Sequence, residues 1–145
     1  MQAVIVVIVI GLIGGIAVGL QQPLTNMVSQ RLGVFESAFI IQFGGAIAAV
    51  IPLLLQRGGN IAEWRAVPWY ALAGGALGVF VLVGISVTFP RLGAVTTTFL
   101  IVTGQLLISV LLDHFGLLGT AVRPIDLSRI LGILVLFVGV WLIIR

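Results

Sequence analysis

AVIVVIVIGLIGGIAVGL, residues 3–20, is a run of eighteen residues without a charged or polar side chain. A helix needs about 20 mostly apolar residues to cross the hydrocarbon core of a bilayer. Together with the amide-rich segment GLQQPLTNMVSQR, residues 19–31, this run predicts a membrane-spanning helix from Ala3 to about Arg31. A cleaved signal peptide is not expected, because the run has no basic start and bulky amides follow it instead of small residues.

Four further apolar runs follow, so the sequence predicts an all-α integral membrane protein with five transmembrane helices. Of its 145 residues, 61% are hydrophobic and only 8% are charged, and the mean hydropathy is +1.33. This composition leaves too little charge to cover the surface of a soluble domain. We predict a single membrane domain over residues 1–145, with helices at 3–31, 35–55, 68–89, 92–112 and 127–144.

The scarcity of reactive side chains argues against several functional classes. The chain has no cysteine and one histidine, His114, so thiol chemistry and histidine-based metal centres lack ligands. Nucleophile–base pairs, metal-ligand spacings and phosphate-binding loops are not found in the sequence. The arginines lie beside predicted helix ends, where basic residues meet lipid head groups. We therefore expect no enzymatic activity, no catalytic residue, no metal, no cofactor and no nucleic-acid partner, and a multi-pass location in the inner (plasma) membrane, in contact with the lipid bilayer.

Small and polar side chains share one face of the first predicted helix, within a stripe of roughly 100°. Gly11, Gly15 and Gly19 form one half of this face, with the spacing that lets a second helix approach closely. Gln22 and Asn26 form the other half. An amide without a partner in hydrocarbon costs about 4–8 kcal/mol. We therefore expect the two amides to face protein or to line a solute pathway.

The fourth predicted helix also carries one hydrogen-bonding face, whose members fall within about 80° of one another. They are Thr98, Gln105, Ser109 and Asp113. The first three are candidate pathway residues. Asp113 lies near the helix end and is a possible coupling or gating group, with helix capping or head-group contact as the alternative. In the third helix, Gly74 and Gly78 form a close-packing face. For all these stripes the alternative is interhelical hydrogen bonding, worth about 1 kcal/mol per bond.

The arginines are nearly balanced between the two sides of the membrane. With five helices the termini lie on opposite sides, and the arginine count is four on the N-terminal side (Arg57, Arg65, Arg123, Arg129) against three on the other (Arg31, Arg91, Arg145). Basic loops set orientation, so a balanced chain is expected to insert both ways. Two oppositely oriented copies would reproduce the inverted repeat of many transporters. The alternative is one orientation, set by the first helix or by a separate partner.

Three stretches resemble a known transporter family. WYALAGGALGVF (69–80), PRLGAVTTTFLIVTGQLLISVLLDHFGLLG (90–119) and LSRILGILVLFVGVWLI (127–143) are similar to the YdcZ-like family of small five-helix proteins in the drug/metabolite transporter (DMT) superfamily. The matching positions are Gln22, Asn26, Gly104, Gln105, Ser109, Asp113 and Gly116. The resemblance implies half of a ten-helix transporter of inverted topology, assembled as an antiparallel homodimer, as paired subunits or as a fusion.

The sequence thus predicts a small-molecule transporter that works by alternating access in an antiparallel homodimer. Its midplane pathway would be lined by Gln22, Asn26, Thr98, Gln105 and Ser109. Two alternatives remain open. One is a structural or regulatory membrane subunit whose polar stripes only pack helices, and the other is a passive pore whose flux does not saturate.

Overall fold

The computed structural model describes residues 2–56 and 60–145, which form helices and connecting loops without a strand. The α-helices are α1 (Gln2–Leu32), α2 (Val34–Leu55), α3 (Trp69–Leu72), α4 (Gly74–Phe115) and α5 (Leu127–Ile144). Two 3₁₀ turns lie in the connections, at Ile61–Ala66 and Leu117–Gly119. The break predicted at residues 57–59, which includes Arg57, lies outside the described residues. The all-α prediction is confirmed for the described part of the chain.

Three helical segments are long and apolar enough to cross a membrane: Val4–Leu32, Val34–Leu55 and Trp69–Phe115. The large apolar side chains of α1 are exposed, among them Val7 at 68% and Leu20 at 63%. Apolar surface of this length is stable in hydrocarbon, where the helix satisfies its own backbone groups. The chain is therefore an α-helical integral membrane protein.

The helix α4 is too long for a single crossing. It has 42 residues, about twice the roughly 20 that a spanning helix needs. Its helical geometry is interrupted at Gly93, with φ 77° and ψ 173°, a conformation that favours glycine. The sequence predicts the break at Pro90, whereas in the structure the helix continues through Pro90 and breaks three residues later. Proline lacks a backbone donor and crowds the preceding turn, so both residues weaken the same stretch of helix.

In the first compact unit, Met1–Arg91, α1 and α2 pack against each other as a helical pair. They are joined by Gly33, whose φ of 114° disfavours any residue with a Cβ. The Ser37 hydroxyl donates to the carbonyl oxygen of Thr25 at 3.0 Å. The Thr25 hydroxyl donates in turn to the carbonyl oxygen of Gln21 at 2.8 Å. One hydrogen bond therefore joins the two helices, and the threonine that accepts it is itself bonded within α1.

Replacing Ser37 by leucine is expected to destabilise this helical pair. The Ser37 side chain is fully buried at 0% exposure, and overpacking a closely packed site costs about 1–3 kcal/mol. The free energy of unfolding in lipid should fall by that amount. Phe35→Leu is the matched control, because Phe35 is 74% exposed and should change stability by less than about 0.5 kcal/mol. Equal effects of the two substitutions would contradict this packing.

The helices α2 and α4 meet through a side-chain amide in the same unit. Gln42 donates from Nε2 to the carbonyl oxygen of Gly75 at 3.1 Å. A Cβ added at Gly78 would overlap the amide group of Gln42. The missing side chain of Gly78 therefore makes room for Gln42, the only amide side chain within the apolar part of α2.

In the second unit, Leu92–Arg145, the remainder of α4 packs along α5. The rings of Phe99 and Phe137 meet edge to face, with centroids 5.6 Å apart. Gly116 ends α4 in the left-handed conformation, with φ 63°, as helix C-termini commonly do. The backbone N–H of Arg123 then donates to the carbonyl oxygen of Asp113 at 2.8 Å. This contact folds the connection back onto the end of α4 and brings the start of α5 beside it.

Candidate functional site

The two amides proposed for α1 have different surroundings. Gln22 is 1% exposed and has a bonding partner in the fold. Asn26 is half-buried, and its Oδ1 accepts a hydrogen bond from Nε2 of Gln30 at 3.4 Å. A contact of this length is weak. Asn26 is thus the more exposed of the two amides, and Gln22 is enclosed within the fold.

The glycine half of the same α1 face packs against nothing within the described chain. Cβ atoms built at Gly11, Gly15 and Gly19 lie more than 4 Å from every described atom outside the helix's own backbone. Within the first unit, the described residues therefore leave this face without the close contact that the GxxxG spacing favours.

The hydroxyl groups of the α4 polar face bond to their own helix. Thr98 donates to the carbonyl oxygen of Ala94 at 2.9 Å, and Ser109 donates to that of Gln105 at 2.7 Å. Such i to i−4 bonds satisfy the hydroxyl proton and leave oxygen lone pairs as acceptors. The side chain of Gln105 is exposed.

Two adjoining grooves run along the seam between α4 and α5 in the second unit, with volumes of about 340 Å³ and 330 Å³. The first is lined by Ala94, Val95, Thr98, Phe99, Val102, Leu136 and Val140. The second is lined by Leu106, Ser109, Val110, Asp113, Arg129, Gly132, Ile133 and Leu136. Leu136 belongs to both grooves. The structure therefore brings Ser109 and Asp113 into one groove and Thr98 into the next, and it leaves Gln105 outside both.

An ion pair closes the polar end of the second groove. Nη1 of Arg129 lies 3.5 Å from Oδ2 of Asp113, and the two side chains are 27% and 34% exposed. The same Nη1 donates to the carbonyl oxygen of Arg123 at 3.3 Å. Sequence reasoning counted Arg129 only as a charge at a helix end. The signal that could have identified it is its place in the first turn of α5, immediately after the loop that follows Asp113.

Sequence reasoning also missed the buried hydroxyls. Thr25, Ser37, Ser86 and Thr97 are all at most 5% exposed. Three buried hydroxyl oxygens lack a hydrogen-bond partner among the described residues, namely those of Ser86, Thr97 and Thr103. A buried hydroxyl without a partner is unfavourable, and none of these three residues lines either of the two grooves.

Asp126 positions Arg129 by capping α5. Its Oδ1 accepts a hydrogen bond from the backbone N–H of Arg129 at 2.9 Å and from the Ser128 hydroxyl at 3.0 Å. These two hydrogen bonds, the backbone one foremost, hold the pKa of the Asp126 carboxyl below its ordinary value. Asp126 precedes the first residue of α5 and is open to solvent. The charged cap therefore fixes the first helical turn and the backbone that carries Arg129.

Replacing Asp126 by alanine is expected to loosen the first turn of α5. Because the folded-state pKa is lowered, the cap's contribution is fully present above the unfolded carboxyl's pKa of about 3.9. It is lost as pH falls through the lowered value. Hydrogen-exchange protection of the Arg129 amide should fall in Asp126→Ala at neutral pH. It should be kept in Asp126→Asn, since asparagine caps equally well. Unchanged protection in the alanine variant would show that the cap does not hold this turn.

The described residues carry hydrogen-bonding, charged and aliphatic side chains in both units. Groups of three or more His, Cys, Asp or Glu side chains able to hold a metal ion do not occur within the described ranges. The first unit carries the two amides of α1, and the second unit carries the two grooves and the ion pair of Arg129 and Asp113. Polar and charged groups beside apolar walls are the usual lining of sites for small molecules.

These features define a multi-pass α-helical membrane protein. The family described as "Putative inner membrane exporter, YdcZ" matches residues 6–142, and the chain belongs to this family, as its sequence resemblance predicts. The chain is also similar to the inner membrane protein YdcZ of Escherichia coli (strain K12). The two are 27% identical over 134 residues, which cover 90% of this chain and 89% of the relative. No solved structure matches the chain.

Family membership and the three apolar helices establish the broad function and location. The protein is a membrane transport protein of an exporter family, and it resides in the inner membrane within the lipid bilayer. The description of the family is that of an exporter.

Proposed function

We propose that the chain is one subunit of a small-solute transporter, in which two copies of opposite orientation work by alternating access. One observation supports the proposal above all. Of the side chains buried among the described residues, three are apolar and five are polar, and the polar ones are Gln22, Thr25, Ser37, Ser86 and Thr97. A membrane protein exposes apolar surface to lipid, and its buried polar groups either bond across helix interfaces, as Ser37 does to Thr25, or line a pathway. A polar interior in so apolar a chain supports a solute pathway.

Five spans per chain are part of the proposal. The 42 residues of α4 suffice for two crossings of about 20 residues each, with Gly93 at the interruption. With α1, α2 and the 18 residues of α5, the chain has the helical length for five crossings. With an odd number of crossings, the two termini lie on opposite sides of the membrane. The arginine count is then nearly equal on the two sides and favours neither orientation, which is consistent with insertion in both.

The proposed site lies near the membrane midplane, where the two copies meet. Asn26 is the accessible amide of α1, and Gln22 joins the pathway when the helices move apart. Thr98, Gln105 and Ser109 supply acceptors and donors from α4. Asp113 is the proposed coupling or gating group, and its single contact of 3.5 Å with Arg129 supports that role. A contact so much longer than the usual 2.7–2.9 Å of charge-assisted bonds is easily opened.

A transport assay on reconstituted vesicles tests the proposal with many candidate solutes at once. Proteoliposomes would be loaded with a mixture of labelled amino acids, organic acids and sugars. We expect at least one compound to leave faster than from protein-free vesicles, at a rate that saturates with its internal concentration. A rate that stays linear with concentration would indicate a passive pore. If no compound is released although the reconstituted protein is folded, the result favours a structural or regulatory membrane subunit over a transporter.

A further inference from the structure

We propose that the groove between α4 and α5 binds a zwitterion with an apolar body, such as an aliphatic α-amino acid, through Arg129 and Asp113. The inference rests on the proposed transport function and names the substrate class. Arg129 would bind the ligand's carboxylate, and Asp113 would bind its ammonium group. The aliphatic walls of the groove would hold the side chain.

The geometry of the ion pair supports an exchange of partners. The Arg129 side chain makes both of its hydrogen bonds to described residues through Nη1, at 3.5 Å to Asp113 and 3.3 Å to the carbonyl of Arg123. Nε and Nη2 have no hydrogen-bond partner among the described residues. A guanidinium group binds carboxylates best through two parallel hydrogen bonds, and the Asp113 contact uses only one. A ligand carboxylate can therefore make a better contact with Arg129 than Asp113 does.

Charge balance selects a zwitterion over a simple ion. An anion alone would take Arg129 from Asp113 and leave that carboxylate uncompensated, and a cation alone would do the same to Arg129. Leaving one partner of a partly buried pair without its counter-charge is unfavourable. A zwitterion replaces one weak ion pair with two complementary contacts and keeps the site neutral.

The rest of the groove fits the other part of such a ligand. Beyond the ion pair and the Ser109 hydroxyl, its lining is glycine and aliphatic: Leu106, Val110, Gly132, Ile133 and Leu136. The Ser109 proton is already donated within α4, so its oxygen is available as an acceptor for an ammonium group. A volume of about 330 Å³ lies at the lower end of the roughly 300–1,000 Å³ of ligand pockets, the size for a small molecule.

Three matched probes test the assignment by isothermal titration calorimetry on the detergent-solubilised full chain. L-leucine carries both charges, 4-methylpentanoate lacks the ammonium group, and 3-methylbutylamine lacks the carboxylate. We expect leucine to bind at least about tenfold more tightly than either singly charged probe, since each charged hydrogen bond lost weakens binding by that order. Equal binding of 4-methylpentanoate would make the groove an anion site and overturn the proposal. Equal binding of the amine, or no binding of leucine to the folded protein, would also overturn it.

Variants of Arg129 and Asp113 test whether leucine binds at this ion pair. Arg129→Gln and Asp113→Asn should each weaken leucine binding at least about tenfold. The double variant Asp113→Asn with Arg129→Gln has no uncompensated charge, so it should fold and still fail to bind. Arg123→Gln is the control and should bind like the wild type, because only the backbone carbonyl of Arg123 contacts Arg129. Wild-type binding in the double variant would overturn the assignment.

Measuring both leucine binding and solute flux distinguishes a failure of this inference from a failure of the proposed function. If vesicles release a solute in a saturable manner but the protein binds no leucine, only the zwitterion assignment fails. If leucine binds as predicted but no compound is released, the proposed transport function fails and the binding site stands.

Discussion

Replacing Asn26 by alanine is expected to lower solute flux about five- to 150-fold, because an unmet polar contact costs about 1–3 kcal/mol. The substitution should leave folding and assembly intact. Asn26 is half-buried, and its side-chain carbonyl makes only a 3.4 Å contact with Gln30. Little in the resting structure depends on it. A loss of flux without loss of assembly would assign Asn26 to the solute pathway.

Gln22→Ala is the informative comparison, because Gln22 lies four residues away on the same face and is 1% exposed. Removing a buried side chain that has a bonding partner should lower both flux and the free energy of unfolding. Both variants should thus lose flux, but only Gln22→Ala should lower the free energy of unfolding measured in lipid. Lost assembly with Asn26→Ala would favour the structural-subunit alternative instead.

Replacing Gly15 by leucine is expected to break the dimer while leaving the subunit folded. A Cβ at Gly15 meets no described atom within 4 Å outside its own helix backbone, so the chain leaves open space beside this position. In the proposed dimer this face is covered by the second copy. Overpacking there costs about 1–3 kcal/mol, which weakens association about five- to 150-fold. Single-molecule subunit counting in vesicles at graded protein densities measures this change.

Gly14→Leu is the matched control for this substitution. Gly14 has equal space around it but lies about 100° away on the helix surface. It should leave association unchanged. If both variants, or neither, lose the dimer, the glycine face of Gly11, Gly15 and Gly19 is not the contact.

The helical character of the chain could be predicted because hydrophobic length alone requires it. A run such as residues 3–20 has no stable alternative to a helix in lipid. The position of the interruption in α4 was harder to predict. Pro90 and Gly93 are both helix breakers, and only the backbone shows that Gly93 takes the irregular conformation.

The candidate site was only partly predictable. Helical spacing places Ser109 and Asp113 on one face, and they do line one groove. The same spacing indicates that Gln22 faces protein or a pathway, but it does not distinguish which of the two is found at rest. The partner of Asp113 lies 16 residues away along the chain. Their contact depends on the path of the intervening loop, which the helix pattern does not encode.

Dual insertion is the claim on which the antiparallel dimer depends, and the absence of cysteine from the chain makes it directly measurable. A single cysteine at Asn60, an exposed position, would be labelled in intact cells with a membrane-impermeant maleimide, before and after permeabilisation. We expect labelling of about half the molecules before permeabilisation, because both orientations are inserted. Labelling of all or none of them would contradict dual insertion and, with it, the antiparallel dimer.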